Sequence, residues 1–456
     1  MKVLSHFSLL CLVCISTSSC QKAFLEKKPN QALTVPTTLT DLRTLLDNND
    51  DLNQAPYLTT TCTDDIYTTK DGLLAAGSIV SNSYLWEKDV YEGQPQADWN
   101  RPYQQVFYAN VVLEGLEKLT GPDKGTAEFL NLQGSALFIR ALAFYHLAQE
   151  FALPFDPATA SLTPGIPLRL ATDVNVRSKR GTLLQTYTQI VKDLEAAKDL
   201  LPLSAAFKTR PTKPAALALL ARVLQTMQIY DQAAEAATKC LKSNGSLIDY
   251  NTLDVSAYRA FPRAIPNGNV EVLYFTPLIN VDFLDFPTLT AIDSTLYRSY
   301  DEHDLRKTLF FRQWDGYVTF KGNYSGNAAV FGGLATDEVY LIRAECYARM
   351  GNITLAMKDL NELLKNRIIK TAFSPLKAAN VEEALMLILA ERRKELVFRN
   401  TRWTDLRRLN QDSRFAVTLL RHIDGQEYRL PPGDRRYTFP IPDDEIRNSG
   451  IEQNPR

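Results

Sequence analysis

The sequence predicts a mainly α-helical fold in which a frame of helical repeats carries irregular, loop-rich insertions. Apolar residues recur at helical spacing over long stretches, two separate helix pairs share one pattern of small residues, and other segments lack any period. These features place the frame at about 97–243 and 336–411 and the insertions at about 47–96 and 245–335. The segment 412–456 is rich in proline and is expected to be irregular.

The frame helices follow from hydrophobic periodicity and from capping residues. A first helix is expected after Thr40, a suitable N-cap ahead of Leu42 and Leu45. Residues 126–150 are apolar on most faces, which predicts a buried helix. The other helical segments are expected at 99–119, 182–200, 214–243, 336–366 and 381–398.

Two helix pairs carry the same pattern of small residues. Ala221 and Ala233 are twelve residues apart, and Ala344 and Ala356 have the same separation. This offset is typical of tetratricopeptide repeats, in which small side chains let two antiparallel helices approach closely. The sequence therefore predicts a tetratricopeptide-like frame whose repeats are separated by an insertion.

The N-terminus has the pattern of a secretory leader. Lys2 precedes an apolar stretch at residues 7–15, and the small polar residues 16–19 precede Cys20. The apolar stretch is too short to cross a bilayer, which needs about 20 residues.

The position of Cys20 predicts a bacterial lipoprotein. We expect a signal peptide over 1–19, lipidation of Cys20, and an extended tether over 20–39. Thr17 stands where such signals usually carry leucine, so a plain secretory signal is the alternative.

The composition argues against several classes of site. A net charge of −1 argues against a nucleic-acid surface. Beyond the leader, Cys62, Cys240 and Cys346 are odd in number and widely spaced, which predicts neither a disulfide framework nor a zinc site. Cys240 and Cys346 are expected to be small buried hydrophobes. No metal or cofactor is predicted, and His146 is expected to be a structural residue with satisfied hydrogen bonds.

A charged block at 391–408 could be mistaken for a catalytic site. Glu391, Glu395 and Asp405 lie there among several arginines. Neighbouring arginines lower the pKa of carboxyl groups, which makes these groups unsuitable as general acids for glycoside hydrolysis. We therefore expect a partly buried ion-pair network that holds the last helices together.

The same block carries the most specific resemblance to a known family. ERRKELVFRNTRWTDLRRLN at 391–410 is similar to E-R-R-x-E-L-x-F-E-G-x-R-W-x-D-L-R-R, with Arg399-Asn400 in place of Glu-Gly, and the tail at 437–455 also matches. Further blocks agree in order, at 108–113, 134–147, 187–202, 297–306 and 338–344. After the leader, nearly the whole chain resembles the SusD/RagB family of outer-membrane nutrient-binding lipoproteins.

The resemblance implies a location, a partner and a ligand. The protein would be attached to the outer membrane by its N-terminal lipid and would face the exterior. It would lie over a TonB-dependent barrel of the SusC type, capture an oligosaccharide with its insertions, and deliver it inward. The resemblance implies no catalysis.

Sugar binding without catalysis needs aromatic faces for stacking and a few polar groups on a concave surface. We expect these groups in the insertions and not on the frame helices, so Trp99 and Trp403 are predicted to be core residues. The predicted ligand-binding residues are Tyr84, Trp86 and Tyr91 in the first insertion and Trp314, Tyr317 and Tyr324 in the second.

Three alternatives remain open. The same uptake role could serve peptides or another nutrient. A lipoprotein hydrolase is disfavoured because the sequence shows no His-Ser or His-metal constellation and no isolated carboxylate pair. A protein-binding tetratricopeptide scaffold is possible, but it leaves the aromatic-rich insertions unused.

Overall fold

The computed structural model describes residues 36–173, 175–177, 179–279, 282–285 and 289–456, and residues 38–456 form one unit. The predicted signal peptide, Cys20 and nearly all of the tether lie outside the described residues. The helices are α1 (Leu39–Leu46), α2 (Asn49–Leu52), α3 (Leu58–Thr61), α4 (Lys70–Ala76), α5 (Ser78–Tyr84), α6 (Ala97–Lys118), α7 (Ala127–Phe151), α8 (Leu183–Leu200), α9 (Lys213–Thr226), α10 (Tyr230–Ser243), α11 (Asp282–Asp285), α12 (Ser294–Ser299), α13 (Arg306–Phe310), α14 (Thr336–Arg349), α15 (Ile353–Leu364), α16 (Val381–Glu395), α17 (Arg402–Leu409) and α18 (Asp443–Ser449).

The strands of the described chain form antiparallel two-stranded sheets. They pair as β1 with β5, β2 with β3, β4 with β8, β6 with β7, and β9 with β10. Their bounds are β1 (Ile66–Tyr67), β2 (Pro164–Pro167), β3 (Arg180–Thr182), β4 (Val272–Tyr274), β5 (Ala291–Ile292), β6 (Phe311–Trp314), β7 (Tyr317–Phe320), β8 (Leu334–Ala335), β9 (Leu419–Ile423) and β10 (Gln426–Leu430).

The first helix is capped by Thr38 and not by the predicted Thr40. The Thr38 hydroxyl accepts from the Asp41 amide at 3.1 Å, and the Asp41 carboxylate accepts from the Thr38 amide at 3.0 Å, which forms a capping box. Helices α7, α8 and α9 are capped in a similar way. Their third amides donate to the hydroxyls of Thr126, Thr182 and Thr212, respectively. Such caps satisfy amides that have no partner inside the helix, so they define where the frame helices begin.

The helical frame is confirmed. Helix α8 packs against α7 and α9, while α9 pairs with α10 and α14 pairs with α15. Helix α10 also packs directly on α14, so the two pairs stack although residues 244–335 separate them in sequence. All four alanines of the repeat pattern are fully buried. Small side chains at these positions allow the close packing that the sequence predicted.

The charged block at 391–408 forms the predicted buried ion-pair network. Arg306, which is fully buried, contacts three carboxylates at 2.6–2.9 Å, those of Asp304, Glu391 and Glu395. Arg367 bridges Glu395 at 2.7 Å and Glu271 at 3.0 Å. Burial alone would raise the pKa of Glu395, but the charges of Arg367 and Arg306 hold that pKa below its usual range. The network ties the second insertion to α16.

The segments predicted as loops contain short elements. Residues 47–96 hold helices α2 to α5 and strand β1, and residues 412–456 hold the β9–β10 hairpin and α18. The helices of the first insertion are four to seven residues long, too short to show a helical period in sequence. Isolated helices of this length are not stable in water, so tertiary contacts stabilise them.

The two insertions share one hydrophobic core. Strand β1 of the first insertion pairs with β5 of the second, with Ile66 opposite Ile292 and Tyr67 opposite Ala291. Buried side chains from both insertions pack together beneath this pairing. Within the described ranges, none of the helices combines the length and the apolar character that crossing a membrane would require.

Candidate functional site

A small surface cleft lies where the two insertions meet. It has a volume of about 90 Å³ and contains three aromatic side chains. These are well exposed: Tyr67 by 39%, Trp314 by 50% and Tyr317 by 42%. The other lining residues are Thr68, Thr69, Leu289, Thr290, Ala291 and Asp315. We refer to this site as the aromatic cleft.

A tight hairpin presents two of the three rings. Trp314 and Tyr317 are directly opposite each other at the end of the β6–β7 pair. The two turn residues between them, Asp315 and Gly316, have φ angles of 47° and 80°. Positive φ at both central residues is typical of a type I′ turn, for which Asp-Gly is a preferred sequence. Directly opposite residues project from the same face, so the two rings form one aromatic surface.

Tyr67 reaches this surface from the first insertion. The β1–β5 pairing places Tyr67 opposite Ala291, and β5 lies beside β7. Burial is the main cause that raises the pKa of Tyr67, and the neighbouring Tyr317 and Asp293 raise it further. Its hydroxyl therefore stays protonated at neutral pH and can donate a hydrogen bond to a ligand.

Threonine hydroxyls supply polar groups around the rings. The Thr69 hydroxyl accepts from the Gly72 amide at 3.2 Å, and the Thr68 hydroxyl donates to the Leu289 carbonyl. The Thr290 hydroxyl oxygen is buried and has no hydrogen-bond partner within the described chain. Exposed aromatic faces beside a few polar groups suit the binding of a sugar ring.

The three aromatic residues predicted as ligand contacts in the first insertion lie in the core instead. Tyr84, Trp86 and Tyr91 are only 1%, 1% and 4% exposed, so none presents a ring face to a ligand. The Arg421 guanidinium carbon, from β9, lies 3.7 Å from the Tyr84 ring centroid and 4.8 Å from that of Trp86. The Tyr84 hydroxyl accepts from the Thr68 amide at 3.2 Å. Tyr84 therefore holds the backbone of Thr68, a lining residue of the aromatic cleft, from the side of the core.

Tyr324 is also a core residue, contrary to the prediction. Its hydroxyl donates to Glu271 at 2.7 Å and accepts from Arg367 at 3.1 Å. The Arg399 guanidinium carbon lies 4.7 Å from the centroid of its ring. The side chain thus belongs to the buried ion-pair network and cannot contact a ligand at the surface.

Of the six predicted residues, the structure leaves Trp314 and Tyr317 exposed and brings them together. Sequence reasoning missed Tyr67, because strands of two residues give no readable signal of the β1–β5 pairing. Trp99 and Trp403 are 3% and 2% exposed, which confirms that they are core residues.

The frame contains a larger cleft of a different character. It has a volume of about 760 Å³, and its lining includes Tyr230 as the one aromatic residue among those described. Its arginines are already paired: Arg349 and Arg408 contact Glu345 at 2.8 Å and 2.6 Å. Its size therefore reflects a wide polar groove and not a converging set of free binding groups.

A buried carboxyl pair was not anticipated from the sequence. Asp98 and Glu150 are 0% and 1% exposed and lie within hydrogen-bond reach of each other. Burial raises the pKa of Asp98 to about 7, although amides of Leu58 and Tyr57 donate to it. Burial, followed by the charge of Asp98, raises the pKa of Glu150 well above its usual value. Because both groups are enclosed, the pair does not form a site that a glycan can reach.

Other reactive side chains are also buried. His146 Nδ1 has no hydrogen-bond partner among the described residues, contrary to the prediction of a satisfied residue, and burial lowers the pKa of His146 to about 3. Burial raises the pKa of Cys62 and of Cys240 to about 12, and Cys346 is buried as well. The described part of the chain contains no cluster of His, Cys, Asp and Glu that could hold a metal ion.

The Arg399-Asn400 departure from the family pattern has a local explanation. Asn400 has a φ of 57°, in the left-handed region that favours glycine and that asparagine tolerates. Its side-chain oxygen accepts from the Thr59 hydroxyl at 2.7 Å. Arg399 donates to Asp337 at 3.0 Å and joins the buried charges.

Comparison with known proteins agrees with this architecture. A SusD-like family model, described as starch-binding and associating with the outer membrane, matches residues 23–224, and the SusD family model matches residues 336–456. SusD-like protein P2 of Formosa agariphila is 24% identical over 79% of this chain and 80% of its own length.

Solved structures show the same fold. A putative sugar binding protein from Bacteroides vulgatus has a TM-score of 0.75 at 21% identity, over 92% of this chain and 99% of its own. A SusD superfamily protein from Bacteroides thetaiotaomicron has a TM-score of 0.75 at 22% identity, over 92% of this chain and 100% of its own. A SusD-like carbohydrate binding protein from Bacteroides vulgatus has a TM-score of 0.70 at 16% identity, over 91% and 97%. With two family models matching most of its length and this fold throughout, the chain belongs to the SusD/RagB family of outer-membrane-associated, glycan-binding proteins.

Proposed function

We propose that this protein binds oligosaccharides at the aromatic cleft and delivers them to a TonB-dependent outer-membrane transporter of the SusC type. The observation that carries the proposal is the convergence of Tyr67, Trp314 and Tyr317 at one exposed position, beside the exposed Thr69. Two of the structural relatives are described as sugar binding and carbohydrate binding, which favours a glycan over a peptide.

The cleft suits contact with a glycan from one side. Pockets that enclose a drug-sized ligand have about 300–1,000 Å³, whereas this cleft has about 90 Å³. A sugar ring therefore stacks on the exposed aromatic surface, and the rest of the chain continues over the outside of the protein.

Calorimetry with a panel of oligosaccharides tests the binding site. Trp314→Ala and Tyr317→Ala should each weaken binding at least tenfold, because each removes an exposed stacking face. Phe107→Ala is the matched control, since Phe107 is 40% exposed on frame helix α6. A glycan affinity that neither Trp314→Ala nor Tyr317→Ala alters would contradict the site. Tight peptide binding without glycan binding would contradict the function.

We propose a binding role without catalysis. The carboxyl pair at Asp98 and Glu150 is enclosed, and the carboxylates of the 391–408 block are paired with arginines. Incubation with a bound glycan, followed by chromatography of the products, should show the glycan intact. Release of shorter sugars by the purified protein would contradict this part of the proposal.

We propose that lipidated Cys20 attaches the protein to the outer face of the outer membrane. The support is the leader sequence, together with the family's association with the outer membrane. Cys20→Ser should release the protein from the membrane fraction, and protease added to intact cells should digest the wild type. Co-purification of a TonB-dependent barrel from solubilised membranes tests the partner.

A further inference from the structure

An arginine lies between two half-exposed rings at the edge of the aromatic cleft. The Arg312 guanidinium carbon, on β6, is 4.6 Å from the ring centroids of both Tyr258 and Trp314. Tyr258 is 44% exposed and Trp314 is 50% exposed, so this stack stands at the surface of the second insertion. Trp314 therefore belongs both to the cleft and to the stack.

Arg312 differs from Arg306 and Arg367 because it has no acidic partner among the described residues. It makes no ion pair with any residue that the structure describes, and its Nε is buried without a hydrogen-bond partner. By contrast, Arg306 and Arg367 each contact carboxylates within 3.0 Å. Stacking uses the two faces of a guanidinium and leaves the in-plane N–H groups of its two Nη atoms free to donate.

Further positive charge surrounds the stack. The Arg259 guanidinium carbon lies 4.5 Å from the Tyr258 ring centroid, and its Nη1 donates to the Lys321 carbonyl at 2.7 Å. Lys321 Nζ donates to two backbone carbonyls, at 2.9 Å and 3.0 Å. Burial lowers the pKa of Lys321. The negative charge of Asp254 raises this pKa, and the positive charge of Arg312 lowers it. Asp315 at the hairpin turn and Asp293, which raises the pKa of Tyr67, are further acidic groups of this region.

We propose that Arg312 binds an oxyanion on the ligand, so that the oligosaccharide taken up by this protein is acidic and carries a uronate carboxylate or a sulfate ester. This inference rests on the proposed function, because the sugar that carries the anion stacks in the aromatic cleft. Guanidinium N–H groups match the oxygens of either anion in a two-pronged, charge-assisted hydrogen bond. Tyr258 and Trp314 hold the guanidinium in place before the ligand arrives.

Calorimetry with three probes of equal length tests the inference: an oligogalacturonate, a sulfated carrageenan oligosaccharide and a neutral malto-oligosaccharide. At least one acidic probe should bind at least tenfold more tightly than the neutral one, and this preference should shrink as salt is raised. Whichever acidic probe binds more tightly identifies the oxyanion.

Variants separate the charge from the stacking. Arg312→Gln should abolish the acidic preference by weakening binding of the acidic probes more than binding of the neutral probe, and Arg312→Lys should keep part of the preference because the charge remains without the planar fork. Arg298→Gln, an exposed arginine on α12, is the matched control and should change nothing.

The possible failures are distinguishable. Equal binding of acidic and neutral probes, or an equal loss of both in Arg312→Gln, would overturn the inference and leave the proposed function standing. Tighter binding of a polyglutamate peptide than of either acidic glycan would overturn it as well. Absence of binding by all three glycans would overturn the inference together with the proposed function.

Discussion

The carboxyl pair at Asp98 and Glu150 makes a quantitative prediction about stability and pH. Asp98 Oδ1 and both oxygens of Glu150 are buried and accept from no donor among the described residues. A proton shared between the two carboxyl groups gives one oxygen of each group a partner. The pair therefore resists ionisation in the folded protein, whereas both groups ionise freely in the unfolded chain.

The sign and size of the effect follow from the pKa of Asp98, which is raised from 3.8 to about 7. Between these values the folded state binds more protons than the unfolded state, so this group lowers the stability as the pH rises. At about 1.4 kcal/mol for each pH unit, the destabilisation at pH 8 reaches about 4 kcal/mol. Below pH 3.8 both states are protonated and the destabilisation disappears.

Glu150→Gln should remove the share of this pH dependence that comes from Glu150. The pKa of Glu150 is raised by burial and by the charge of Asp98, whereas glutamine does not titrate. The burial that raises the pKa of Asp98 remains in the variant. Urea unfolding followed by circular dichroism gives the free energy of unfolding at pH 5 and pH 8. The loss between these pH values should be smaller in the variant than in the wild type by up to about 4 kcal/mol, which is about 1.4 kcal/mol for each of the three pH units. Any packing cost is the same at both pH values and cancels.

Glu235→Gln is the control, because this carboxylate is exposed on α10 and 2.7 Å from Lys239. It should follow the wild-type dependence on pH. If the free energy of unfolding of Glu150→Gln falls by as much as that of the wild type between pH 5 and pH 8, the two buried carboxyls do not share a proton and the reasoning fails.

Three further predictions concern the ion-pair network, the hairpin and the thiols. Arg306→Met should lower the free energy of unfolding by about 3–5 kcal/mol, because it leaves buried carboxylates without their partner; exposed Arg298→Met should change it by less than about 0.5 kcal/mol. Gly316→Ala should cost about 1 kcal/mol, since alanine is strained at a φ of 80°, and a thermal melt that matches the wild type would argue against the type I′ turn. An Ellman titration of the Cys20→Ser protein without residues 1–19 should find no rapid reaction in the native state and full reaction in urea for the buried thiols of Cys62, Cys240 and Cys346.

Sequence reasoning worked best where the signal is local. A helical period spans neighbouring turns, so α7, α8 and the two repeat pairs could be located before their packing was known. The charged block at 391–408 was also interpretable, because so many opposite charges in one helical region require pairing when they are buried. Short helices such as α3 and α4 escaped prediction because four to seven residues hold too little periodic information.

The candidate site shows where local reasoning stops. Tyr84 and Trp314 look alike in sequence, since both are aromatic residues in polar, poorly periodic segments. Tyr84 is buried because Arg421, 337 residues away, packs on its ring and donates to its carbonyl at 3.3 Å. Trp314 is exposed because the turn at Asp315 and Gly316 carries it to the end of a hairpin.

The sequence by itself determined the helical repeats, the predicted lipoprotein leader, the buried charge block and the resemblance to one family, because each of these is written in neighbouring residues. Only the tertiary structure decided which rings are exposed, that Tyr67 joins Trp314 and Tyr317, and that Arg312 stands between two rings without an acidic partner in the described part of the chain. The physical reason is that exposure depends on contacts between segments far apart in the chain, and those contacts form only when the insertions fold against each other.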